Sequence, residues 1–291
     1  PHAPHRSRTE RRRSQMKPAA SIRRSPAPYD EFAWMYDRHW GPHSLCKFAP
    51  ILAEALLPRL PARARVLDVC CGTGQIARWL TERGCRVTGL DHSRAMLKRA
   101  KTRAPRATFV FADAQAFALP PRHDAALSMF DSLNHVLTLP ELAAAFRCIC
   151  GALAPGGIFF CDFNVRRKFL DGWRGDFHLL ENGHACIVRT RYDDGARQAR
   201  WDIAMFRRDR RGLWRRTDLT LVQRAYEEPE VCQALAEAGF VDVETWDADR
   251  TPAGLTPLPP GKCYFLAHKP ARPPARKRGA ASMDRPPGTC P

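Results

Sequence analysis

The segment Val66-Leu-Asp-Val-Cys-Cys-Gly-Thr-Gly-Gln75 constrains this chain more than any other. A short apolar run, Val66–Val69, meets two glycines separated by one residue. Residues 75–83 (QIARWLTER) follow, with Ile76 and Leu80 four apart and Gly84 as a stop. The order is strand, tight turn, amphipathic helix. Gly72 and Gly74 permit the turn and leave the backbone open to a ligand, because no Cβ stands in the way. The free N–H groups at the start of the helix suit a ligand oxygen or carboxylate.

The same alternation continues. Val87–Leu90, Thr108–Phe111, Ala125–Phe130 and Ile158–Asp162 read as further strands. Ser93 is a candidate N-cap for the helix RAMLKRAK, residues 142–153 read as a further helix, and Gly156–Gly157 turn the chain into the fifth strand. Strands and helices at this spacing predict a parallel sheet with helices on both faces. Between 172 and 225 the period changes. Residues 185–192, 199–208 and 213–224 alternate as antiparallel strands, with turn signals at Asp193-Asp-Gly195 and Asp209-Arg-Arg-Gly212. A helix at 229–238 and strands at 241–246 and 263–268 then complete the first pattern. The insert is expected near the carboxyl ends of the parallel strands, where it would cap the cleft.

Acids stand at the ends of the first three strands: Asp68, Asp91 and Asp113. Gly72-x-Gly74-x-x-Ala77 satisfies a loose dinucleotide fingerprint. A pyrophosphate there would be repelled by Asp68, and Asp113 would have no partner. S-adenosylmethionine uses all three acids, with its cationic methionine end, its ribose hydroxyls and its adenine amino group.

Four segments carry a family resemblance: Asp68-Val-Cys-Cys-Gly-Thr-Gly74, Gly89-Leu-Asp91-His-Ser-Arg-Ala-Met-Leu97, Ala112-Asp113-Ala114 and Leu153-Ala-Pro-Gly-Gly157. In order and spacing they resemble the class I S-adenosylmethionine-dependent methyltransferases, over roughly residues 60–165. Cys70 departs from the pattern where many members carry the first glycine; a more crowded loop with retained binding is expected. Tyr29-Asp-x-Phe-Ala-x-x-Tyr36-Asp37, Phe130-Asp-Ser-Leu-Asn-His135 and Asp162-Phe-Asn164 are similar to a bacterial subgroup acting on small molecules, relatives of the amino-sugar N-methyltransferases.

The resemblance implies an α/β fold: a Rossmann-like class I methyltransferase sheet, mostly parallel with a C-terminal antiparallel hairpin, plus an inserted antiparallel β cap. It implies S-adenosylmethionine held by Tyr36, Asp68, Cys70, Gly72, Gly74, Asp91, His92, Asp113, Ala114 and Phe130, with no metal. His135 is the candidate catalytic base, and the acceptor is expected to enter beside Asn134, His135 and Asn164. The implied reaction moves a methyl group to an N or O atom of a small molecule. Two alternatives stand beside it: an RNA-modifying methyltransferase that uses basic tails, and a non-catalytic binding protein of the same fold. No Asn-Pro-Pro-aromatic motif follows the fourth strand and no Pro-Cys nucleophile is present, which argues against nucleic acid as substrate. The acceptor's identity and charge, and the oligomeric state, stay open.

The net charge of +17 sits mostly in the tails: residues 1–27 carry +7, residues 269–291 carry +5, and residues 28–268 keep +5. Both tails have too few apolar residues to offset the entropy of ordering, so disordered basic tails are expected there. The core is then assigned to 28–171, the cap to 172–225 and the rest of the core to 226–268. No apolar stretch reads as a secretory signal or a membrane span. Residues 1–27 also have a transit peptide's composition, and Met16 is a candidate start. Eleven Cys without a C-x-x-C pair fit a reducing cytoplasm better than a disulfide framework or zinc ribbon.

Overall fold

The structure is a computed structural model that describes residues 28–172 and 175–271. In chain order the strands are β1 (Arg65–Val69), β2 (Arg86–Asp91), β3 (Thr108–Phe111), β4 (His123–Ser128), β5 (Leu153–Asn164), β6 (Phe177–Glu181), β7 (His184–Asp193), β8 (Gln198–Arg208), β9 (Trp214–Arg224), β10 (Val241–Trp246) and β11 (Lys262–His268). The helices are α1 (Pro28–Met35), α2 (Gly41–Ile51), α3 (Gln75–Glu82), α4 (Arg94–Arg103), α5 (Leu139–Ala152), α6 (Arg166–Gly172) and α7 (Glu228–Glu237).

The main sheet has the order β10-β11-β5-β4-β1-β2-β3. Strands β3, β2, β1, β4 and β5 are parallel; β11 runs antiparallel to β5, and β10 antiparallel to β11. The chain leaves β1 in one direction across the sheet and resumes at β4 in the other. Their carboxyl ends therefore bound the crevice in which open α/β sheets bind ligands. Successive residues of β1 face opposite layers. Val66 packs with Phe48, Ile76 and Leu80 on the α2–α3 side; Leu67 packs with Leu142, Phe146, Val231 and Leu235 on the α5–α7 side.

A second, four-stranded antiparallel sheet, β6-β7-β8-β9, forms from the insert. Its alternation works as the sequence implies: Cys186, Val188, Ile203, Met205 and Leu221 turn inward. Their apolar partners are Phe32 and Met35 of α1, so the insert buries its face on the N-terminal helix rather than on the main sheet. That helix is fixed to the core in turn. Asp30 accepts hydrogen bonds from the Ser93 hydroxyl (2.6 Å) and the Ala95 N–H (3.0 Å) at the start of α4, and Asp37 pairs with Arg99 (3.2 Å) and Arg103. Ser93 is the N-cap expected, accepting from the Met96 N–H at 3.1 Å.

Several boundaries differ from the sequence reading. β6 was not foreseen: Phe177, His178, Leu180 and Glu181 are exposed, so its sequence lacks the alternation that marks a half-buried strand. β5 begins at Leu153, and its pairing with β4 is irregular across the Gly156–Gly157 stretch where a turn was expected. Lys269, assigned to the tail, belongs to the core. Its N–H donates to the Gly157 carbonyl, and its ammonium donates to the carbonyls of Cys150 (2.8 Å) and Leu153 (2.6 Å). Of the tails expected to be disordered, 1–27 and 269–291, residues 1–27 and 272–291 lie outside the described residues, as does Trp173. No helix among the described residues is long and apolar enough to cross a membrane.

One buried amide stitches the cap to the sheet. Asn134 is wholly buried; its Nδ2 donates to the carbonyls of Asn164 (2.9 Å) and Arg224 (2.8 Å), and its Oδ1 accepts from the Asn164 N–H (3.0 Å). Substituting Asn134→Ala strands these groups away from water, at roughly 1–3 kcal/mol for an unsatisfied buried group. The variant is expected to lose roughly 2–4 kcal/mol of stability in urea unfolding. A change under about 0.5 kcal/mol would show that the stitch carries no weight.

Candidate functional site

A cavity of about 850 Å³ opens at the carboxyl ends of β1, β2 and β4. Of the residues singled out from the sequence, Tyr36, Cys70, Gly72, Asp91, His92, Asp113, Ala114, Phe130 and His135 line it. Asp68 and Gly74 do not. Gly74 is turned toward α4: a Cβ on it would stand 3.0 Å from the Ala100 Cα, and its φ is +81°. It serves the packing of helix against loop, not the approach of a ligand.

Asp68 is buried behind the wall, and its Oδ2 has no hydrogen-bond partner among the described residues. Burial, with the charge of Asp91 added, pushes its carboxyl up to about 8. Asp91 is tied into the loop: Oδ2 accepts from the Gly72 N–H and Oδ1 from the Ser93 N–H, both at 2.8 Å. Each oxygen keeps a lone pair for a ligand hydroxyl. Asp113 accepts from the Gln115 N–H at 2.9 Å. Cys70 explains its own oddity. It stands at φ +59°, a conformation that glycine adopts freely and an L-residue adopts at about 1–2 kcal/mol. This stretch offers a cation-seeking buried oxygen, a carboxylate with spare acceptor capacity and a glycine turn, and those features fit S-adenosylmethionine.

The other half of the cavity is built around the end of β4. Phe130 (φ +65°) and Asp131 (φ +47°) are both left-handed, and the chain then makes a 3-10 turn, Ser132–His135. His135 is fixed on both ring nitrogens. Nδ1 lies 2.7 Å from the carbonyl of Val222 in β9, which can only accept, so Nδ1 carries the proton. Nε2 is then bare and accepts from the Tyr29 hydroxyl at 2.8 Å. Burial holds the imidazole below its ordinary pKa, although the Asp131 charge and the Val222 bond act the other way.

Beneath His135 lies a buried ionic cluster. The Lys262 ammonium donates to Asp131 (2.7 Å) and to Asp162, and Gln223 Nε2 donates to Asp131 at 2.6 Å. Burial alone would raise Asp131, but Lys262 outweighs it and holds the carboxyl low. Asp162, with burial and the Asp131 charge both against its ionisation, is raised. Gln223 Oε1 is buried with no partner among the described residues.

The insert contributes Trp201 and Thr220–Gln223 to the lining. Arg189, Arg191, Arg200, Arg207, Arg208, Arg215 and Arg216 of the insert are not among the lining residues. The positive groups at the cavity come from elsewhere: Lys47 of α2, Lys168 of α6 and Lys262 of β11, with His43 beside Lys47 held below its ordinary pKa by burial and by that charge. Neither Lys47 nor Lys168 makes a salt bridge among the described residues. Sequence reasoning missed these and Tyr264, because the elements that bring them together are remote in the chain and no local spacing links them. Of the acceptor-side residues expected, Asn164 lines the cavity while Asn134 is consumed by its structural bonds.

Comparisons with known proteins agree with this geometry. Residues 66–157 match the family described as a methyltransferase domain. The dTDP-3-amino-3,4,6-trideoxy-alpha-D-glucopyranose N,N-dimethyltransferase of Streptomyces venezuelae is 34% identical over 123 residues, 42% of this chain and 52% of that protein. The malonyl-[acyl-carrier protein] O-methyltransferase of Enterobacter lignolyticus is 39% identical over 156 residues, 44% of this chain and 61% of that protein. The chain therefore spans between about half and two thirds of these curated relatives. An amino pentose methyltransferase of Micromonospora echinaspora, solved with S-adenosylmethionine bound, superposes with a TM-score of 0.61 at 25% identity, over 84% of this chain and 98% of that one. The described chain thus has the class I S-adenosylmethionine-dependent methyltransferase fold, and its residues 66–157 are a methyltransferase domain.

Proposed function

We propose that this protein transfers a methyl group from S-adenosylmethionine to an N–H or O–H group of a small molecule that carries an anionic portion. The carrying observation is the division of one cavity into two chemistries: a glycine turn with strand-end carboxylates on one side, and the Tyr29–His135 pair with Gln223 on the other. Residues 28–171 and 226–268 form the cofactor-binding core in this reading, and 172–225 the cap over the acceptor.

Bound S-adenosylmethionine supplies the electrophilic methyl of a sulfonium. Asp91 would accept the ribose hydroxyls while still holding the Gly72 N–H, and Asp113 and Ala114 would frame the adenine. Tyr36, Cys70, Gly72, His92 and Phe130 would close around it, with Asp68 giving a charge to the methionine end. The acceptor's N–H or O–H would donate to the Tyr29 oxygen as Tyr29 donates to His135 Nε2. A proton lost by the acceptor then reaches Nε2, and the ionised Asp131 nearby favours the imidazolium formed. Most of the acceleration in such a site comes from alignment and exclusion of water, which the cap strand β9 supports.

The unpaired Lys47 and Lys168 support the anionic portion. The two curated relatives act on a nucleotide-linked amino sugar and a malonyl thioester, both of which bear negative charge. The ten described cysteines are all free, in keeping with the cytoplasm as the place of action.

Calorimetry of the full chain tests the cofactor half. Asp91→Ala is expected to weaken S-adenosylmethionine binding by roughly 1.5–3 kcal/mol, the range for hydrogen bonds to a charged group. Unchanged affinity would remove Asp91 from the site. The same titration reads Asp68. Its folded value of about 8 lies above the ordinary 3.8, so in the free protein it favours the fold at low pH and that contribution is lost as pH rises toward 8. A cation bound near Asp68 reverses this by ionising it. Binding at pH 7 is therefore expected to release close to one proton, seen as a dependence of the heat on buffer ionisation, and Asp68→Asn is expected to release none. Equal release by both proteins would refute the assignment.

Methyl transfer to a panel of nucleotide-linked amino sugars, thioester-linked carboxylates and free dicarboxylates tests the acceptor half. With an accepted substrate, His135→Ala is expected to lower kcat on the order of 10²-fold, at the low end for a general base, and to leave cofactor affinity within about twofold. Because burial depresses the imidazole, kcat/KM should stay level as pH falls to about 6.5 and decline only below that. A decline that begins above pH 7 would contradict a neutral, buried His135.

A further inference from the structure

Outside the cavity, three residues with metal-binding atoms converge where the cap meets the N-terminal segment. His39 lies in the π-helical stretch Tyr36–Trp40, Glu181 ends β6, and His184 opens β7 after the tight turn at Asn182-Gly183. His39 Nε2 and His184 Nε2 face each other at 2.8 Å. Glu181 Oε2 is 3.5 Å from His184 Nε2, and Glu181 Oε1 is 3.7 Å from His39 Nδ1. One ligand atom from each residue lies within 4.8 Å of the other two. The His39 and His184 side chains are only 13% and 6% exposed, while Glu181 stands at the rim.

We propose that His39, Glu181 and His184 form a binding site for a divalent cation of the zinc class, which clamps the cap to the N-terminal segment. Two imidazoles and one carboxylate suit zinc and its transition-metal neighbours rather than calcium or magnesium, which prefer oxygen alone. Two zinc–nitrogen bonds of about 2.0–2.1 Å at a tetrahedral angle separate their nitrogens by about 3.3 Å. The pair at 2.8 Å therefore needs to open by only about half an ångström, within reach of small ring rotations. Water would fill the fourth position.

The surroundings favour the site. The Trp34 ring stands edge-on to His184, with centroids 5.6 Å apart, and limits its rotation. Arg38 donates to Glu181 Oε2 at 3.0 and 3.2 Å, orienting the carboxylate and leaving Oε1 free. Without an ion, one imidazole must donate to the other, a single neutral hydrogen bond. With an ion, the same residues join two chain segments 142 positions apart. Tyr36 and Trp40, which flank His39 in its stretch, both line the cavity, so the clamp would set how firmly the cavity is covered.

The test uses the full chain stripped with a chelator and titrated with Zn²⁺ against a competing dye, then with Co²⁺ followed by absorption. One equivalent is expected to bind, with cobalt d–d bands free of thiolate charge transfer and a rise in the thermal midpoint with zinc. His184→Gln and the rim variant Glu181→Gln are each expected to weaken binding at least 10-fold and to abolish most of that rise. Glu181→Gln alters an exposed group and keeps the measurement interpretable if the His184 variant folds poorly. No binding, equal binding by wild type and both variants, or a thiolate charge-transfer band that places the cation on cysteines would each overturn the proposal. These readouts use neither cofactor nor acceptor, so their failure is distinguishable from a failure of the proposed methyl transfer.

Discussion

The buried Lys262 ammonium, shared between Asp131 and Asp162, is the contact on which the acceptor side depends. Lys262 comes from the last strand, Asp162 from β5, and Asp131 from the turn after β4. Burying a lone charge is prohibitive, and a shared one is tolerable only when its partners are fixed. The cluster reaches that state by sorting its protons, with Asp131 ionised and Asp162 favouring the neutral form. Its effect on the backbone matters as much. Phe130 and Asp131 occupy left-handed conformations that cost about 1–2 kcal/mol each and persist only when over-determined. Lys262 and Gln223, both bound to the Asp131 side chain, supply that determination. The turn they hold is the one that presents His135.

Legibility in the sequence followed the range of the interactions. The parallel strands, the glycine turn and the strand-end acids are local patterns, and Ser93 capping α4 is visible within four residues. Period-two alternation exposed the cap for the same reason, because Ile203 and Met205 bury one face whatever lies beneath. What lies beneath was not visible. Nothing around Phe32 and Met35 states that they will pack against a sheet more than 150 residues away. The short β6 escaped because both of its faces are largely exposed and no alternation records it.

The site divides along the same line. Residues on the consecutive strand ends of one sheet half were found by spacing, and most of them line the cavity. Asp68 and Gly74 fit the motif as well as the others but stand behind the wall, one as a buried carboxyl whose ionisation burial opposes and the other as a packing glycine. A motif records which residue types a loop requires, and does not separate contact from support. Lys47, Lys168, Lys262 and Tyr264 come from α2, α6 and β11, which only the completed fold assembles.

This division has a physical basis in how the two ligands are held. The cofactor's ribose and adenine can be bound by strand ends and backbone of one contiguous unit, which the parallel sheet makes rigid before any ligand arrives. In the proposed reading the acceptor would instead meet a composite surface: the N-terminal helix through Tyr29, the β4 turn through His135, the cap through Gln223 and Trp201, and the last strand through Lys262, all of which line the cavity. Three of these elements are joined by polar stitches, Tyr29 to His135, and, between the β4 turn and the cap, His135 to Val222, Gln223 to Asp131 and Asn134 to Arg224. Each stitch but the last involves a residue that lines the cavity. Moving the cap would therefore change the tautomer-fixing bond of His135 and the proton acceptor beside Tyr29 together. In the proposed reading, closure of the acceptor chamber and readiness of its base would be the same event.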